Sequence, residues 1–114
     1  MCGRYYVDDD TARAIERLVE QIDTKLARQQ GKRDIMPSQM AAIIRAGRLG
    51  TELTTVNWGF PAVTGSGLVI NGRVESVNEK PMFRQNIISR RCIIPAAGFY
   101  EWNEEHEQMK LDLQ

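Results

Sequence analysis

The sequence predicts an α+β domain with a β-rich core, and three observations predict it. Residues 9–30 repeat apolar side chains at helical spacing. Beyond Gly31 the chain changes to short runs rich in β-branched and aromatic residues, separated by glycine-bearing turns. At 114 residues there is room for one small domain, so both kinds of segment must share one core.

The helix comes first. Ile15, Leu18, Val19, Ile22 and Leu26 recur at spacings of three and four, Asp9 and Asp10 offer capping carboxylates, and Gly31 suits the residue that ends a helix. It reads as scaffold with a solvated charged face. Residues 40–45 then read as a strand, 46–50 as a turn and 53–58 as a second strand, which together make a hairpin. Residues 61–67 read as a loop and 68–70 as a short strand ending in Asn71-Gly72-Arg73. Pro81 can open a short helix to about Ser89, because proline is tolerated in a first turn. Cys92–Pro95 is a further β-branched burst, and 99–102 is a short strand after the Ala97-Gly98 turn. Residues 104–114 are polar and acidic, so the expectation is a poorly packed tail and a fold that stops before its sheet is finished.

Composition narrows the function classes. Apolar residues make up 42% and charged residues 26%, ordinary for a soluble globular chain. No apolar run approaches the roughly 18 residues of a membrane span. Asp8, Asp9 and Asp10 occupy the place of a signal peptide's apolar region, so the expected location is cytoplasmic. Two cysteines and one histidine fit neither a disulfide framework nor a zinc finger, and no metal or cofactor is expected. The net charge is zero but unevenly spread: −1 over residues 1–31, +5 over 32–100 and −4 over 101–114. A basic middle segment leaves room for an anionic partner.

Three segments can carry chemistry. Methionine is generally removed ahead of a small residue, so Met1-Cys2 presents an N-terminal cysteine with an α-amine and a thiol. Their reference pKa values, about 7.7–8.0 and about 8.5, leave usable nucleophile near neutrality. An amine forms a Schiff base with an aldehyde, and the neighbouring thiol can close onto the imine carbon as a thiazolidine. The second segment is Val69-Ile70-Asn71-Gly72-Arg73. Asn71 can hold a sugar or carbonyl oxygen and Arg73 a phosphate, although Asn-Gly taken alone is more often an ordinary turn. The third is Arg90 through Trp102. Glu101 lies between Tyr100 and Trp102, where a buried carboxyl would act as an acid near neutral pH, or alternation would leave it facing solvent. Cys92 reads as an inert core residue and His106 as solvent-exposed.

In order along the chain, Cys2-Gly3-Arg4-Tyr5, Ile35-Met36-Pro37-Ser38-Gln39, Trp58-Gly59-Phe60, Ile70-Asn71-Gly72-Arg73, Glu79-Lys80-Pro81-Met82-Phe83-Arg84 and Arg91-Cys92 through Trp102 resemble the SRAP (SOS-response-associated peptidase) family. The resemblance implies a β-rich SRAP fold with a basic groove for single-stranded DNA, and capture of the ring-opened aldehyde of an abasic site by the N-terminal cysteine. Cys2 matches the crosslinking cysteine, Asn71 the asparagine that positions the opened sugar, and Glu101 the glutamate that assists proton transfer. Arg73 matches a phosphate-contacting arginine, Arg4 lies in the motif lining the site, and Pro37 and Arg84 are groove residues. The implied partner is single-stranded DNA containing abasic sites. The complete domain is expected to be a monomer, with oligomer formation open to a shortened chain. A cysteine peptidase and a non-catalytic DNA-binding module remain alternatives.

Three positions depart from the family pattern. Gly72 stands where a small alanine is usual, and 62–67 lacks a tryptophan-bearing stretch. The family histidine lies in a motif well beyond Trp102, which His106 does not match, so this chain reads as about half of the family domain.

Overall fold

The computed structural model describes residues 2–11, 13 and 33–113. Most of the expected helix over 9–30 lies outside the described residues; 9–11 and 13 are helical. Its start differs from expectation. Asp8 rather than Asp9 or Asp10 is the cap, its Oδ1 accepting the Thr11 N–H and hydroxyl, both at 2.9 Å. Asp10 instead pairs with Arg13 one turn on.

The remaining elements are β1 (Tyr5–Val7), β2 (Arg33–Ile35), β3 (Met40–Gly47), β4 (Gly50–Asn57), β5 (Phe60–Pro61), β6 (Leu68–Val69), α1 (Pro81–Ser89), β7 (Gly98–Trp102) and β8 (Gln108–Asp112). Strands β2-β1-β7-β8 form one antiparallel sheet, while β3–β4 and β5–β6 are separate hairpins. The β3–β4 hairpin, the 68–70 strand, the helix from Pro81 to Ser89 and the 99–102 strand all form close to where the sequence predicts them. Pro81 supplies the fixed φ of a first turn, and the helix closes with the Arg90 N–H on the Asn86 carbonyl at 2.9 Å.

Four strands were not expected. At two or three residues each, β1, β2 and β5 are too short for alternation to register, and β5 takes Pro61 from the expected loop over 61–67. The fourth, β8, makes 108–112 of the expected tail a strand paired with β7, though its side chains pack as little as a tail's would. A turn through His106, at φ 62°, returns the chain so that Glu101 pairs with Met109 and Phe99 with Leu111. Every β8 side chain is exposed, which is why composition alone hid the strand.

The core lies between the four-stranded sheet and β3–β4. Tyr5, Val7, Ile35 and Ala41 are buried together, with Trp58, Ala96 and Phe99 packed against them. Ala41 through Ile44 are buried without alternation because β3 is covered on both faces. Its Ile44 exchanges backbone hydrogen bonds with Ile93 at 2.9 and 2.8 Å, so the β-branched burst after Cys92 forms a single bridge rather than a strand.

Candidate functional site

The sheet sorts its side chains by face. Tyr5 pairs with Phe99 and Phe99 with Leu111, so these three share the side that packs on the core. Two residues along β7, Glu101 is half-buried on that same side. Tyr100 and Trp102 take the opposite side, which answers the open question about Glu101: the carboxyl, not its aromatic neighbours, shares the core-facing surface.

At one end of the β1–β7 pair the Tyr100 N–H donates to the Arg4 carbonyl at 2.9 Å. The pair is antiparallel, so residues before Arg4 and residues after Tyr100 lie at the same end. Cys2 is there, half-buried, its thiol donating to the same Arg4 carbonyl at 3.3 Å. From the other direction comes Asn71, whose Nδ2 donates to the Cys2 carbonyl at 2.9 Å across 69 residues of sequence. Asn71 and Gly72 are not among the positive-φ positions, so this segment is not the Asn-Gly hairpin turn that its sequence also allowed. The asparagine side chain is used to reach the N-terminal strand.

Cys2 and Asn71 open onto a cavity of about 490 Å³, with Tyr5, Trp58, Ile70 and Phe99 among its walls. Trp58 organises this wall. Its ring stands 5.6 Å from that of Tyr5, its indole N–H reaches the Ile70 carbonyl at 3.5 Å, and its backbone carbonyl accepts the Ser38 N–H at 2.9 Å. Trp58 was part of the motif pattern but had no assigned role; its joining of three segments could not be read from spacing. Cys92 also lines the cavity and is exposed, which corrects its reading as a core residue. It follows the exposed Arg90-Arg91 pair, and the apolar residues after it supply only the one bridge to β3.

The family model for SOS response associated peptidase (SRAP) matches residues 1–112. The chain belongs to the SRAP family. Abasic site processing protein YoaM of Bacillus subtilis is 32% identical over 123 residues, covering 99% of this chain and 52% of that protein. Abasic site processing protein YoqW, from Bacillus subtilis and from Bacillus phage SPbeta, is 30% identical over 122 residues, covering 99% of this chain and 53% of each. The chain therefore spans about half the length of the curated relatives it matches. No solved structure matches it.

In this SRAP chain the six expected site positions beyond Cys2 are distributed unevenly. Asn71 meets Cys2 directly, and Glu101 lies at the same end of the sheet but is not among the residues lining the cavity. Pro37 lies in the turn between β2 and β3, which is tied to Trp58 through the Ser38 N–H and the Gln39 carbonyl. Arg73 and Arg84 are exposed and flank the close approach of Gly72 to Phe83. Arg4 is engaged within the protein. Its guanidinium lies 4.4 Å over the Tyr100 ring and bonds Asp34, with Nε at 3.0 Å from Oδ2 and a further pairing through Nη2, while Nη1 reaches Gln108 at 3.3 Å.

Asp34 is the residue that sequence reasoning missed. Its second oxygen accepts the Tyr100 hydroxyl at 3.0 Å. The hydrogen bond from Arg4 holds the Asp34 carboxyl below its ordinary range, and the same bond raises the Arg4 guanidinium. Burial, then the bond to Asp34, pushes the Tyr100 phenol up. Nothing in Arg33-Asp34-Ile35 marks the aspartate, because its partners are 30 and 66 residues away. Among the described residues no group of three or more His, Cys, Asp or Glu side chains is placed to hold a metal ion, and no helix is long and apolar enough to cross a membrane.

Proposed function

We propose that this SRAP chain carries the nucleophile of an abasic-site processing protein and captures the ring-opened aldehyde of abasic sites in single-stranded DNA as a thiazolidine on Cys2. The observation that carries the proposal is the hydrogen bond from Asn71 to the Cys2 carbonyl. It brings a polar side chain able to hold a sugar oxygen to the one residue that can present an amine and a thiol on adjacent carbons. The names of the relatives, abasic site processing proteins, support the substrate class.

With Met1 removed, the Cys2 α-amine adds to the aldehyde carbon and gives a carbinolamine. Loss of water forms the imine, and Glu101 is the residue proposed to protonate the departing hydroxyl. The Cys2 sulfur then adds to the imine carbon, the nitrogen takes up a proton in place of the thiol's, and the five-membered ring closes with one water released overall. Arg73 and Arg84 are the proposed phosphate contacts, since both guanidinia are exposed.

A denaturing gel of the protein mixed with an abasic oligonucleotide tests this reading. The wild type gives a slow-migrating adduct, and Cys2→Ala gives none. Asn71→Ala slows adduct formation about tenfold, the equivalent of one well-placed hydrogen bond. An equal yield of adduct from Cys2→Ala overturns the proposal.

A further inference from the structure

We infer that Asp34 is a positioning residue for the Cys2 thiol, acting through Arg4 and Tyr100 rather than by contact with DNA. The inference rests on the proposed reaction at Cys2 for its consequence, and on hydrogen-bond geometry for its support. One oxygen, the Arg4 carbonyl, accepts both the Cys2 thiol at 3.3 Å and the Tyr100 N–H at 2.9 Å. Where that oxygen sits decides where the thiol points. Its position depends on residues 4 and 100, and the side chains of both end on Asp34: Arg4 on Oδ2 and the Tyr100 hydroxyl on Oδ1. The guanidinium stacked 4.4 Å over the Tyr100 ring closes the arrangement.

A planar guanidinium held along one edge by a carboxylate and across one face by an aromatic ring has little freedom left. Without Asp34 the guanidinium keeps, among the described residues, the stacking and the long contact to Gln108 at 3.3 Å. The Tyr100 hydroxyl would lose its partner at the same time. Both consequences loosen the strand end where Cys2 sits. Within this inference the Arg4 charge is matched by Asp34, so Arg4 acts on the strand end rather than on a phosphate. Asp34 itself sits on β2 opposite Tyr6, on the outer side of the sheet and away from the cavity side.

The test compares wild type with Asp34→Ala, Asp34→Glu and Tyr100→Phe in two measurements. In single-turnover trapping of abasic single-stranded DNA, Asp34→Ala lowers the rate at saturating DNA about tenfold and leaves the half-saturating concentration unchanged. Asp34→Glu recovers most of the loss, and Tyr100→Phe, which removes one hydrogen bond and keeps the ring, shows a smaller loss in the same direction. The second measurement is peptide-resolved alkylation by iodoacetamide across roughly pH 6–9, which does not depend on DNA. Asp34→Ala shifts the profile of Cys2 and leaves that of Cys92 in place. A raised half-saturating concentration with an unchanged saturated rate assigns Arg4 to DNA and overturns the inference. So does an unchanged Cys2 alkylation profile in folded Asp34→Ala, or in folded Tyr100→Phe if the alanine variant fails to fold. If the wild type traps no DNA, the proposed function fails, and the alkylation comparison still decides the role of Asp34.

Discussion

A β-carbon at Gly98 would run into the Leu111 carbonyl oxygen and the Tyr6 ring, including its hydroxyl. Backbone on one side and a buried ring on the other leave nothing that can yield cheaply. Gly98→Ala should therefore cost about 1–3 kcal/mol, the usual penalty for overpacking, read as a lower urea midpoint with an unchanged slope. Gly72 differs in kind. A β-carbon there would meet side chains only, Val77 Cγ1 at 3.0 Å and the Phe83 ring at 3.1 Å, which can shift by a few tenths of an ångström. Gly72→Ala should cost less than Gly98→Ala in the same measurement. The sequence marked Gly98 as part of a turn, whereas it begins β7 at a close approach between strands. Spacing along a chain records neither the Tyr6 ring nor the Leu111 carbonyl. Cys2 and Asn71, which a hydrogen bond brings together, could be singled out because their motifs are distinctive; Asp34 could not, because a single aspartate in a short strand carries no pattern.

Among the elements, the β3–β4 hairpin and α1 were readable because each is long enough to show its period or its proline start. The alternation of β8 was also present, in Met109 and Leu111 and on to Leu113 just past its end, but Glu104, Glu105 and Glu107 ahead of it made the segment read as a tail. The contacts that join β1, β2 and β7 predict a particular response to acid. Arg4 holds the Asp34 carboxyl below its ordinary value of 3.8, so the folded state binds that proton less readily than the unfolded chain. The stability this contributes is fully present above the unfolded pKa and is lost as pH falls through the lower, folded value. Urea titrations between roughly pH 5 and pH 2 should show wild type losing stability that Asp34→Asn, with no carboxyl to titrate, does not lose. Equal acid sensitivity in the two proteins would show that the pairing contributes nothing to the fold.

On the scale of the whole molecule, the core-facing side of the sheet is covered at β1 and β2 and open at β7–β8. Met109 is 47% exposed, Leu111 37% and Leu113 54%, although Phe99 and Tyr5 on the same side are packed. This open side accompanies a chain that spans about half the length of its relatives. The neutral total charge likewise conceals a basic middle, from which Arg73 and Arg84 stand exposed. If these two bind phosphates, Arg73→Ala and Arg84→Ala should each weaken DNA binding across sequences and reduce the salt slope by about 1. An unchanged slope would place the DNA elsewhere.

The most direct measurement is the intact mass of the protein incubated with an abasic oligonucleotide, followed by peptide mapping of the product. One species is expected, with the mass of the Met1-less chain plus the oligonucleotide less one water, and with the modification on Cys2. A folded protein that acquires no such mass, or acquires it on any other residue, would contradict the account.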